Sequence, residues 1–117
     1  MKVLIVDDEK YIRELFSDIL EMQGIEFETA KTGTESLKIL EEEKDIGIVF
    51  LDYSLPDTNG LEISKKIKNI NKDIKIFLLT GWNKDKFKNK DLSNIDEFIS
   101  KPFDINKINR IFEGYNG

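Results

Sequence analysis

Ile46-Gly47-Ile48-Val49-Phe50-Leu51-Asp52 is the stretch on which the fold turns. Residues 46 to 51 are almost continuously apolar, and the run stops at a carboxylate. A strand that is apolar on both faces belongs in the middle of a parallel sheet covered on both sides. Moving outward, Val3 to Val6 and Ile76 to Leu79 have the same character. Glu26 to Ala30 alternates polar and apolar, and Phe98-Ile99 is short, as edge strands are. Between these runs apolar residues recur at helical spacing. Tyr11, Ile12, Leu15, Phe16, Ile19 and Leu20 mark a helix that Gly24 is placed to end. Leu37 and Leu40 mark a second, running to about Glu43, and Ile63, Ile67 and Ile70 a third after Gly60. A weaker helix is predicted between Lys84 and Lys90, and Ile105, Ile108, Ile111 and Phe112 give the last one its buried stripe.

Five strands alternating with five helices predict a single α/β domain over residues 1–117. Right-handed crossovers favour a doubly wound parallel sheet of order 2-1-3-4-5, the flavodoxin-like (βα)5 arrangement. In such sheets the ligand crevice lies outside the carboxyl ends of the strands, at the switch point between strands one and three.

Composition narrows the chemistry. The 117 residues suffice for one core without staples. The absence of cysteine excludes disulfides, thiolate metal sites and thiol nucleophiles, and the absence of histidine excludes imidazole catalysis and a phosphohistidine of the chain's own. Asp and Glu outnumber Lys and Arg 23 to 18, for a net charge of −5, which is a poor match to nucleic acid. Neither a signal peptide nor an apolar stretch of membrane-spanning length is visible, so a soluble cytoplasmic protein is expected.

Polar residues follow four of the apolar runs. Asp7 and Asp8 follow strand one, Asp52 strand three, Thr80 strand four and Lys101 strand five. The predicted fold brings all five to one edge of the sheet. Three carboxylates in one crevice need a proton or a cation, and Mg²⁺ accepts carboxylates while sharing phosphate oxygens. An ionised Asp52 beside Mg²⁺ could attack a phosphoryl group, with Lys101 and Thr80 stabilising the product. Each residue alone also has an ordinary structural role. Asp7 or Asp8 could cap the following helix, Asp52 could open the turn at Leu55-Pro56-Asp57, and Lys101 could be a solvated charge.

Val3 to Glu9, Leu51 to Gly60, Leu78 to Gly81 and Lys101 to Asp104 together resemble the signature of response-regulator receiver domains, over the whole chain. The resemblance implies that Asp52 is the phosphoacceptor. It implies that Asp8, Asp52 and the Ser54 backbone carbonyl are ligands of Mg²⁺, for which Mn²⁺ is able to substitute, with Asp7 acting through a bound water. Thr80 matches the switch hydroxyl, Lys101 the lysine that pairs with the phosphate, and Phe98 the rotating switch aromatic. The Lys101-Pro102 peptide matches a bond that is cis in the family and would aim Lys101 into the crevice. Some residues depart from the common pattern. Phe98 has no polar atom, so its switch must rest on packing. Gly81 replaces a usual alanine, Trp82 is large for its place, and Ser54 and Trp82 occupy positions that tune phosphate lifetime. Residues 83–94 are rich in Lys, Asn and Asp, so a short or mobile helix is expected there.

The partners implied are a sensor histidine kinase or a histidine phosphotransfer protein as donor, and a protein target or onward phosphotransfer as output. Lys10, Tyr11, Leu15, Pro102 and Phe103 are the candidate docking surface for the donor's helical bundle. The start at Met1 and the lack of a tail favour a stand-alone protein. Three rival readings remain at this stage. A degenerate receiver would only bind partners. A Mg²⁺-dependent aspartyl phosphohydrolase of haloacid-dehalogenase type would want Asp-x-Asp after strand one and a cap domain. A flavin-binding module would want a Ser/Thr/Gly-rich phosphate loop where Asp7-Asp8-Glu9 stands.

Overall fold

The computed structural model describes residues 1–82 and 84–116. Strands β1 (Lys2–Val6), β2 (Phe27–Ala30), β3 (Ile46–Asp52), β4 (Lys75–Thr80) and β5 (Glu97–Ser100) form one sheet. All its pairings are parallel, in the order β2-β1-β3-β4-β5. Helices α1 (Lys10–Met22), α2 (Gly33–Glu42), α3 (Gly60–Ile70) and α4 (Ile105–Asn116) make the crossovers and the end of the described chain.

Alternation along the strands sorts the core into two layers. Val3, Ile5, Ile48, Phe50, Phe77 and Leu79 meet Ile12, Phe16, Ile19 and Leu20 of α1 and Ile108 and Phe112 of α4. Leu4, Val6, Val49, Leu51, Ile76 and Leu78 point the other way, onto Leu40 of α2 and Leu61, Ile63 and Ile67 of α3. The three central strands are therefore buried on both faces, as their unbroken apolar runs require.

Four readings of periodicity need correction. Between β4 and β5 the described residues form a single 3₁₀ turn, Lys84–Phe87, in place of a fifth α-helix. Phe87 is fully buried in the second layer, but the segment offers no further apolar partner at helical spacing. One anchor supports one turn, because helix nucleation is unfavourable without a packed face. Asn83 lies outside the described residues. Tyr11 is 70 % exposed, Ile70 36 % and Ile105 49 %, so each stands at the rim of its helix's apolar stripe and outside the core. Gly24 does end α1, with φ at +70°, which a residue bearing a Cβ adopts only with strain. No described helix is long and apolar enough to cross a membrane.

Candidate functional site

Strand register assembles the site one step at a time. Val6 pairs with Leu51, which brings Asp7 beside Asp52. Asp52 pairs with Leu79, so Thr80 comes next, and Thr80 pairs with Ser100, so Lys101 follows. The Lys101 N–H donates to the Thr80 carbonyl at 2.9 Å, extending the ladder by one residue. Lys101-Pro102 is a cis peptide.

One carboxylate oxygen from each of Asp7, Asp8 and Asp52 lies within 4.8 Å of the other two. Asp7 is fully buried and Asp52 nearly so, whereas Asp8 is exposed. The Lys101 ammonium sits 3.3 Å from Asp52 Oδ1, 3.6 Å from Asp7 Oδ2 and 3.7 Å from Glu9 Oε1. Three carboxylates thus face one ammonium. Burial raises the Asp52 carboxyl to about 6, the Asp7 charge adds to that, and Lys101 only partly offsets it. Burial likewise raises Asp7. Burial disfavours the charge on Lys101, but Asp7 and Asp52 more than restore it, so its ammonium is held more firmly than usual. Asp7 does not cap α1. Its Oδ1 accepts from the Glu9 N–H at 2.9 Å, in a turn ahead of the helix. Its Oδ2 is buried and accepts no hydrogen bond among the described residues. An orphaned buried oxygen beside two further carboxylates fits a hard divalent cation and its bound water.

These groups open onto a cavity of about 320 Å³ lined by Asp8, Glu9, Asp52, Ser54, Thr80 and Lys101, with Tyr53, Gly81 and Trp82 at its wall. The Thr80 hydroxyl oxygen accepts from the Trp82 N–H at 2.9 Å, which leaves its own proton available to donate. Phe98 is half-buried, 5.6 Å ring to ring from Phe87. Phe87 in turn touches Tyr53 and Trp82, with ring centroids 5.1 and 5.4 Å away. A further groove of about 500 Å³ shares Trp82 and is lined by Leu92, Ile95, Phe98 and Ser100. An apolar cleft of about 170 Å³ is formed by Tyr11, Ile12, Leu15, Pro102, Phe103 and Ile105, with Lys101 on its wall. Lys10 is exposed and pairs with Glu14. The structure therefore brings Asp7, Asp8, Asp52, Ser54, Thr80 and Lys101 together, and sets Phe98 apart from them behind an aromatic chain. Sequence reasoning missed two contributors. Glu9 reaches Lys101, for which its place next to Asp8 was the only signal. Phe87 is the core anchor of the atypical segment, marked only by being its sole aromatic after Trp82.

The family model "Response regulator receiver domain" matches residues 3–113. Sporulation initiation phosphotransferase F of Bacillus subtilis (strain 168) is 32 % identical over 116 residues, covering 97 % of this chain and 92 % of that protein. Response regulator SaeR of Staphylococcus epidermidis is 36 % identical over 102 residues, but this chain spans only 44 % of its length. Among solved structures, response regulator TrrA of Thermotoga maritima in complex with Mg(2+)-BeF superposes with a TM-score of 0.85 at 33 % identity, covering 97 % of this chain and 96 % of that one. A CheY-like receiver domain protein of Methanospirillum hungatei JF-1 gives a TM-score of 0.88 at 28 % identity, covering 98 % and 92 %. The chain belongs to the response-regulator receiver domain family.

Proposed function

We propose that residues 1–117 act as one phosphorylation switch, which takes a phosphoryl group from a phosphohistidine onto Asp52 and signals through protein partners in the cytoplasm. The observation that carries this reading is the convergence of Asp7, Asp8 and Asp52 within 4.8 Å of one another, with Lys101 against Asp52 and Thr80 in the same cavity. The Mg(2+)-BeF complex of the TrrA relative and the phosphotransferase relative support it.

Asp8, Asp52 and the Ser54 carbonyl would hold Mg²⁺, with Asp7 Oδ2 placed to accept from a bound water. When bound, the cation neutralises charge on the carboxylates and on the phosphoryl oxygens. The protein's own groups do the rest. Asp52, with a carboxyl titrating at about 6, is mostly ionised at neutral pH. Its oxygen bonds to phosphorus as the P–N bond of the donor breaks. The electron pair stays on the imidazole nitrogen, which takes up a proton from water. Lys101, already 3.3 Å from Asp52 Oδ1, then pairs with the new phosphoryl oxygens. The Thr80 hydroxyl donates to another, at the expense of its contact with the Trp82 N–H. That exchange perturbs the packing of Trp82 and Phe98 against Phe87, and so the groove that Trp82 and Phe98 line. Donor and target are read as proteins: a histidine kinase or phosphotransfer protein seated in the Tyr11–Phe103 cleft, and a target on the Trp82–Phe98 groove or an onward phosphoacceptor.

The test is intact mass after incubation with acetyl phosphate, with and without Mg²⁺, for wild type and Asp52→Asn. A Mg²⁺-dependent gain of one phosphoryl group that the variant lacks is expected. Undiminished labelling of Asp52→Asn would sink the assignment.

A further inference from the structure

The loop between β3 and α3 is fastened at its base and at its tip by different means. At the base the Tyr53 N–H donates to the Leu79 carbonyl at 2.9 Å, and the Gly60 N–H donates to the Tyr53 carbonyl at 2.7 Å. Ser54 and Asn59 form an antiparallel bridge, and the Leu55 N–H donates to the Thr58 carbonyl at 3.2 Å. The loop is thus a tight turn with Pro56 and Asp57 at its tip.

That tip reaches a different element. The Asp57 carboxylate accepts from the Gly33 N–H at 3.0 Å, the Thr34 N–H at 2.9 Å and the Thr34 hydroxyl at 2.7 Å. Gly33 and Thr34 open α2, where N–H groups lack partners within the helix and a negative charge is favoured. The side chain of Thr32, the N-cap of α2, accepts from the Glu35 N–H, so two side chains divide the work of capping one helix. The bonds from Thr34 and Gly33 hold the Asp57 carboxyl down to about 2, so the tether stays charged at neutral and mildly acidic pH. The seam is also close-packed. A Cβ on Gly33 would stand 2.6 Å from both Thr58 Cγ2 and Ile63 Cδ1.

We propose that Asp57 is a positioning residue, which ties the tip of the β3–α3 loop to the start of α2 and thereby holds the Ser54 carbonyl where a divalent cation is bound. This rests on Ser54 being a cation ligand, as read above. A plain helix cap would stabilise α2 and leave the cation indifferent. A tether makes the affinity for the cation depend on a bond made outside the cavity.

The two are separated by measuring Mg²⁺ affinity by isothermal titration calorimetry on the full chain, alongside stability to urea. Asp57→Ala is expected to bind Mg²⁺ about tenfold more weakly, the usual scale for losing a residue that orients a ligand. Asp57→Asn, which keeps one accepting oxygen, should fall between. Thr34→Val should weaken binding in the same direction, although Thr34 lines no part of the cavity. Thr32→Ala removes the other cap of the same helix and should keep wild-type affinity. A folded Asp57→Ala with unchanged affinity overturns the proposal, as does a Thr32→Ala that weakens Mg²⁺ binding as much as Asp57→Ala does. If Asp57→Ala does not fold, Thr34→Val decides by the same criterion. A wild type that binds no Mg²⁺ overturns the reading of the site, and this inference with it.

Discussion

Replacing Asp52 by Asn is expected to stabilise the protein when no divalent cation is present, because the site is built at the expense of the fold. Asp52 is 5 % exposed, and burial, with the neighbouring Asp7 charge, raises its carboxyl from 3.8 to about 6. At about 1.36 kcal/mol per pKa unit, ionising it in the folded chain opposes folding by roughly 3 kcal/mol. The sign follows from the order of the two titrations. Below the unfolded value both states hold the proton, and the penalty is absent. It grows as pH rises from there to about 6, and is complete above. Wild type should therefore lose stability across that window, and Asp52→Asn should be spared this loss. At neutral pH and above the variant should melt roughly 10 °C higher, a figure set by the entropy of unfolding a domain of this size. Thermal melts followed by circular dichroism in chelator, at intervals from about pH 4 to pH 8, measure the effect. Saturating Mg²⁺ should shrink the gap, since it stabilises only the form that binds it well. A variant no more stable than wild type at the alkaline end would refute the reasoning. So would a gain of equal size at the acid end.

Phe87→Ala should cost about 3–5 kcal/mol in urea unfolding, as for any fully buried ring, and a loss near zero would show that the segment is not packed. Gly60→Ala would put a Cβ 2.6 Å from Leu78 Cδ1 and 2.9 Å from the Asp52 carbonyl. It should cost roughly 1–3 kcal/mol and slow labelling by acetyl phosphate, and an unaffected labelling rate would show that the Asp52 backbone has room to spare. Tyr11→Ala and Phe103→Ala should slow transfer from a kinase more than from acetyl phosphate, and equal slowing would count against docking in their cleft.

The sheet was legible because Val3 to Val6, Ile46 to Leu51 and Ile76 to Leu79 have no polar face, and only central strands of a covered sheet tolerate that. The site was legible for a related reason. In a parallel sheet every strand ends at the same edge, so Asp7, Asp52, Thr80 and Lys101 had to meet there. What was not legible depended on partners distant in the chain. Helical periodicity places Tyr11, Ile70 and Ile105 near an apolar stripe but does not say how wide the neighbouring layer is, and all three fall past its rim. Phe87 alone could not announce a buried turn. Asp57, next to Pro56, reads as a turn residue, and nothing local points to Gly33 and Thr34, 24 and 23 residues away.

Trp82 is the single tryptophan of the chain, and it lines both the phosphoryl cavity and the Phe98 groove. Its ring lies 4.9 Å from that of Tyr53, and the Lys86 ammonium stands 5.5 Å from its centroid. Indole emission depends on nearby charge and on ring contacts, so this one residue is a built-in optical reporter with a view of both events. A stopped-flow trace on the unmodified protein would then time chemistry and output in one molecule. An early change would come from the filling of the cavity, and a later one from the repacking of the groove.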